Sequence, residues 1–178
     1  MDKLRENSGV VNGVLFGLVV VILGMLMYFI SKPLFLNPGL RFFLSLAIPI
    51  VFISRAALDE RKKNGGFISF PEALQPAYIC LIIGSVIFTI FQFIIMNADF
   101  ELLEIQRDIA VESVKSLSGF ANLTEENIAA FEEMTAEDLR PDFQAFLLGL
   151  AKNFILGFII AAIIAAIVKR KNLASEQN

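Results

Sequence analysis

Histidine is absent from this 178-residue chain. That removes the commonest protein metal ligand and the usual proton-transfer group at neutral pH. Cys80 is the single cysteine, so no intrachain disulfide can form, and without a histidine to activate it the thiol cannot support papain-like chemistry. The chain also lacks a G-x-S-x-G elbow, a Walker A loop, a dinucleotide fingerprint and any two-cysteine metal spacing. No catalytic residue, cofactor or metal site is therefore expected, and the enzyme class is set aside.

Charge is missing over long stretches as well. Hydrophobic residues make up 56% of the chain and its mean hydropathy is +0.69, outside the norm for soluble domains. A bilayer-spanning helix needs about 20 mostly apolar residues, because each adds about 1.5 Å against a hydrocarbon core about 30 Å thick. Four stretches meet or approach this length, over about 9–31, 37–58, 70–97 and 143–168. The first and third are free of charge, and the fourth carries only Lys152. The second is the weakest, since Arg41 and Arg55 flank just 13 uncharged residues; both are expected to snorkel toward opposite interfaces. The first stretch reads as a retained anchor, because its apolar run is too long for a signal peptide and no small-x-small cleavage site follows. The fold class is therefore all-α: a single integral membrane four-helix bundle over 1–178, with an extramembrane helical segment between helices 3 and 4.

With four spans both termini lie on one side. That side collects Lys3, Arg5, Arg55, Arg61, Lys62, Lys63, Lys169, Arg170 and Lys171. The other receives Lys32, Arg41 and the 98–142 insertion, where twelve acids face only Arg107, Lys115 and Arg140. The positive-inside rule then predicts cytoplasmic termini in the inner membrane and a periplasmic insertion.

Local signals refine this layout. Asn37-Pro38 reads as an N-cap followed by proline at the first helical position. Pro49 lies inside the second span, removes the hydrogen bond to Ser45 and predicts a kink. Arg61, Lys62 and Lys63 form a basic cluster suited to anionic headgroups. Gly65-Gly66 permits a sharp turn, and Ser69-Phe70-Pro71-Glu72 matches a capping box at the start of the third span. Leu103, Ala110, Val114 and Leu117 recur at near-helical spacing, which predicts that the third helix continues past the membrane until Gly119. Thr124 and Thr135 are predicted N-caps of two short acidic helices. The insertion is too short for an independent core and should pack on itself, on a second copy or on a partner. Glu125-Glu126 and Glu132-Glu133 share a face but lack the ordering of a calcium loop, so they read as a solvated acidic surface.

Two features of the spans bear on function. Gly9, Gly13 and Gly17 at spacing four, with Gly24 one heptad later, lie on one helix face, and Gly149, Gly157, Ala161 and Ala165 repeat the pattern in the fourth span. Small residues so spaced let helices approach closely, either within one chain or between copies. Lys152, the ionisable residue inside an apolar span, suggests an anion site or a polar path; alternatively it snorkels toward the insertion and pairs with a carboxylate. Asn153 and Asn12 read as interhelical hydrogen-bonding groups with the same two readings open.

The stretch Gly65-Gly66-Phe67-Ile68-Ser69-Phe70-Pro71-Glu72-Ala73, with the four spans and the polar insertion, resembles the bacterial membrane family catalogued as domain of unknown function 4199. The resemblance would cover about residues 5 to 172 and implies a bacterial cytoplasmic membrane location; it brings no activity, ligand or catalytic residue. The leading expectation is a noncatalytic structural or interaction protein that self-associates or binds a membrane protein partner through its helix faces and acidic outer segment. The alternative is a small transporter or channel component working as an oligomer. The bilayer is the one partner that composition requires, and nucleic acid is not expected.

Overall fold

The computed structural model describes residues 7–121 and 125–170. Seven helices appear among them: α1 (Ser8–Ile30), α2 (Lys32–Leu36), α3 (Pro38–Lys63), α4 (Phe70–Ala98), α5 (Phe100–Ala121), α6 (Glu125–Glu133) and α7 (Phe143–Val168), with a short 3-10 turn at Glu137–Leu139. Four of them, α1, α3, α4 and α7, are long and apolar enough to cross a membrane. The described chain has no strand, only one isolated antiparallel bridge between Ile68 and Arg170. It is an all-α membrane protein.

Helix starts are built from side chains that accept from otherwise unpartnered N–H groups. Asn7 Oδ1 accepts from Gly9 N at 2.9 Å and starts α1. Asn37 Oδ1 accepts from Leu40 N at 2.9 Å, with Pro38 beside it, and starts α3. Asp142 Oδ1 accepts from Ala145 N at 2.6 Å and starts α7. At α4, the Ser69 N–H and hydroxyl both donate to Glu72 Oε2, at 2.8 and 2.6 Å. Before it, Gly65 and Gly66 take φ of 69° and 93°, a left-handed turn that side chains resist.

α4 is the central helix, packed against α1, α3, α5 and α7, whereas α1 and α7 do not touch. Two apolar clusters hold the molecule. One lies at the end of the bundle nearest the termini, where Ile53, Ala56 and Ala57 of α3 meet Ala73, Ala77, Cys80 and Leu81 of α4 and Ala161, Ile164 and Ala165 of α7. The other lies at the opposite end, where Phe35 and Leu36 of α2 close over Ile95, Met96, Leu102 and Leu103. No residue of α3 before Ile53 and none of α7 before Gly157 is buried. These two helices therefore bury residues only in their terminus-side halves, although α7 still meets α4 near its start, where the Phe146 and Phe93 ring centroids lie 5.3 Å apart.

The folded chain departs from the expected layout at several points. The third helix does not continue past the membrane: it stops at Ala98, Asp99 is extended (φ −124°, ψ 104°), and α5 is a new helix. Asp99 makes the break by accepting on Oδ1 from Glu101 N at 3.1 Å, the hydrogen bond of a fresh helix start. α5 runs past Gly119 to Ala121, since one helical glycine costs only about 1 kcal/mol. The link after α1 holds the short helix α2. α3 runs unbroken through Pro49. Thr135 starts no α-helix; it lies just before the 3-10 turn, its N–H and hydroxyl donating to Asp138 Oδ2 at 2.8 and 2.7 Å, which holds that carboxyl below its ordinary range. Thr124 and the side chains of Glu125 and Glu126 lie outside the described residues.

Candidate functional site

A cavity of about 700 Å³ lies between α3, α7, α1 and α4. Its walls are largely apolar, with Phe16, Leu23, Phe88 and Leu156 among them. Pro49 lines it from α3 and Ser85 from α4. At the insertion end a second cavity of about 370 Å³ adjoins it. Arg41, Gln92 and Asn153 line both, so the two form one cleft with an apolar body and a polar mouth.

The mouth is cationic. Arg41 reaches it from the start of α3 and Lys152 from α7, alongside Gln92, Gln106, Asn153 and Thr89. No carboxylate lines it. The Thr89 hydroxyl is buried without a hydrogen-bond partner. Leu139 and Pro141 of the insertion line the mouth, and the insertion is tied down there: Arg140 Nη1 donates to Asn97 O at 3.2 Å and Asn97 Nδ2 to Pro141 O at 3.1 Å. Among the described residues Lys152 makes no ion pair with a carboxylate of the insertion. Those acids are engaged elsewhere: Glu137 holds Arg140, Glu132 holds Lys115 and Asp142 caps α7.

The remaining expected residues separate into other tasks. Asn12 does not join Lys152 and Asn153; it lies at the opposite end, donating to Asp59 Oδ2 at 3.2 Å and to Ser8 O at 2.9 Å. Ser8 Oγ donates to Glu60 Oε2 at 2.8 Å, so α1 and α3 share a polar seam. Gly9, Gly13, Gly17 and Gly24 all face α4. A Cβ on Gly9 would stand 2.6 Å from Pro76 O, one on Gly13 2.9 Å from Cys80 O, one on Gly17 2.5 Å from Ile87 Cδ1 and one on Gly24 2.7 Å from Phe91 Cε1. Gly157 lets Leu81 approach, and Ala161 is fully buried beside it in the core. Gly149 is the correction in this set: nothing lies within 4 Å of its added Cβ, so it faces no neighbouring helix. Arg61 is also reassigned in part, since its Nη1 donates to Val168 O at 3.2 Å and caps α7. Lys62 and Lys63 stand 3.8 Å from Asp59 and Glu60, which offsets the charge of the basic cluster.

Two features escaped the reading of the chain alone. Gly84 is a cradle for the Phe16 ring, which occupies the space of its missing Cβ. Asp99 binds two groups from a distant segment, Lys32 Nζ at 2.6 Å and Tyr28 OH at 2.7 Å, and a third from its own turn, Glu101 N. Lys32 also meets Glu101 at 2.5 Å. The Lys32 ammonium, then the Tyr28 hydroxyl, hold the Asp99 carboxyl below its ordinary value; Asp99, then Glu101, hold Lys32 above its own. No local pattern links residues 71 apart in the chain.

With this geometry in hand, the comparison with known families is informative. The family described as Protein of unknown function (DUF4199) matches residues 12–170. The chain belongs to that family. The match spans all four long helices, the cleft and the insertion that lines its mouth. Comparison with curated proteins and with solved structures finds no match.

Proposed function

We propose that this protein is a noncatalytic interaction protein of the bacterial inner membrane whose partner lies in the cleft between α3 and α7. The observation that carries this reading is the cleft itself: about 700 Å³ of apolar space between α3 and α7 is in the range that holds a small organic ligand. Self-association through glycine faces has less support, because those faces are used inside one chain. The termini are assigned to the cytoplasm and the 98–142 insertion to the periplasm, an orientation supported by the sorting of lysine and arginine.

Native mass spectrometry of the protein extracted mildly from its own membrane tests the proposal. One retained molecule per chain, lost in a Ser85→Phe variant whose ring projects into the cavity, is the expected result. A ligand-free chain or one whose retained mass is unchanged by Ser85→Phe would overturn it.

A second reading, a small transporter or channel component working as an oligomer, is favoured by Pro49. It lines the cavity and frees the Ser45 carbonyl from its helical bond, a place where α3 can flex. Flux through proteoliposomes that falls in Lys152→Ala would support it; absence of flux would remove it.

A further inference from the structure

We infer that the cleft holds an anionic phospholipid, with the phosphate between Arg41 and Lys152 and an acyl chain along the apolar cavity. This deepens the proposed binding role and rests on the cleft being its site.

The mouth carries two cations that nothing in the described structure neutralises. Neither Arg41 nor Lys152 lies within ion-pair distance of a carboxylate among the described residues, although the insertion above them is rich in acids. Placing uncompensated positive charge on membrane-spanning helices is costly. Lys152 stands about 14 Å along α7 from Phe143, at 1.5 Å per residue, and both it and Asn153 are exposed on the protein surface. In hydrocarbon these groups need a polar occupant. An anion bound by both cations supplies it, and Arg41 offers the planar donor fork that suits phosphate oxygens. The Asn153, Gln92 and Gln106 amides and the unpartnered Thr89 hydroxyl add neutral donors around the same space.

The shape of the site decides the source of the phosphate. Leu139 and Pro141 line the mouth on the insertion side, where the Arg140 and Asn97 hydrogen bonds hold that stretch. α3 before Ile53 and α7 before Gly157 carry no buried residue. A free anion would use the mouth alone; a lipid of the adjacent leaflet uses the mouth and the apolar cavity together. The polar mouth continues directly into the apolar cavity through Arg41, Gln92 and Asn153, so headgroup and chain of one amphiphile are accommodated together.

The test uses the full chain in nanodiscs of equal phosphatidylglycerol and phosphatidylcholine, read by native mass spectrometry. Wild type should retain one phosphatidylglycerol in preference to phosphatidylcholine by about tenfold. Arg41→Gln with Lys152→Gln should abolish the preference but keep a bound lipid, and Arg41→Lys, which retains the charge without the fork, should give an intermediate ratio in a chain less perturbed. Added inorganic phosphate should leave the lipid bound; displacement by phosphate would overturn the lipid assignment in favour of a simple anion site. Equal retention of both lipids by wild type would overturn the headgroup assignment while leaving the cleft as a binding site. No lipid in wild type, matching Ser85→Phe, would overturn both.

Discussion

Glycines of one sequence pattern do different things at the residue scale. Gly9 and Gly13 face backbone atoms of α4, which cannot rotate away as a side-chain tip can, whereas Gly149 faces open space. Gly13→Ala should therefore destabilise the fold by about 1–3 kcal/mol, the cost of forcing atoms into a packed contact. Gly149→Ala should be neutral or stabilising by up to about 1 kcal/mol, because alanine is the better helix former. Thermal unfolding in detergent compares the two; equal losses would show that the α1–α4 approach is not what the first glycine row supports. Spacing alone could not separate these positions, since both lie in helical small-residue rows, and only the folded chain shows that Gly149 faces no neighbour.

The joint of elements at the insertion end turns on Asp99. It breaks α4, starts α5 and binds Lys32 and Tyr28, so it locks the α1–α2 link to the base of the insertion. Its folded pKa is lowered, so its contribution is complete above the unfolded value of about 4 and fades as pH falls through the folded value. Lys32 is raised, so its contribution is complete below about 10.4 and is lost as pH rises through its folded value. The joint is thus tightest from about pH 4 to about pH 10. Asp99→Asn should lower the melting temperature at neutral pH and flatten the wild-type decline in acid; identical acid limbs for both proteins would place that decline on other carboxylates. The helix starts at Asn37 and Ser69 were legible in the chain because each cap and its hydrogen-bond partner lie three residues apart. The Asp99 joint was not, because its partners are brought together by folding.

For the whole molecule, orientation and the cleft are separate questions. The charge sorting predicts that Glu133→Cys is labelled by an impermeant maleimide in spheroplasts and Lys62→Cys only in inside-out vesicles. The native thiol adds little background, since Cys80 is fully buried and burial suppresses thiolate reactivity. The reverse pattern would invert the assigned topology and move the cationic mouth to the cytoplasmic leaflet.

Four spans, their ends within a residue or so for three of them, and the caps that start α3 and α4 follow from composition and local pattern. Apolar length against bilayer thickness, and hydrogen bonds between near neighbours, act within a few turns of chain. Which glycines meet another helix, where Asp99 finds its partners, and that Arg41 and Lys152 line one cavity were decided only by the tertiary structure. Those contacts join residues far apart in the chain, and a cavity exists only where two packed helices part. Lys152 shows the difference: its presence in an apolar span marked it from the beginning, but its meaning came from Arg41, contributed by another helix, and from a shared cavity that no acid lines among the described residues.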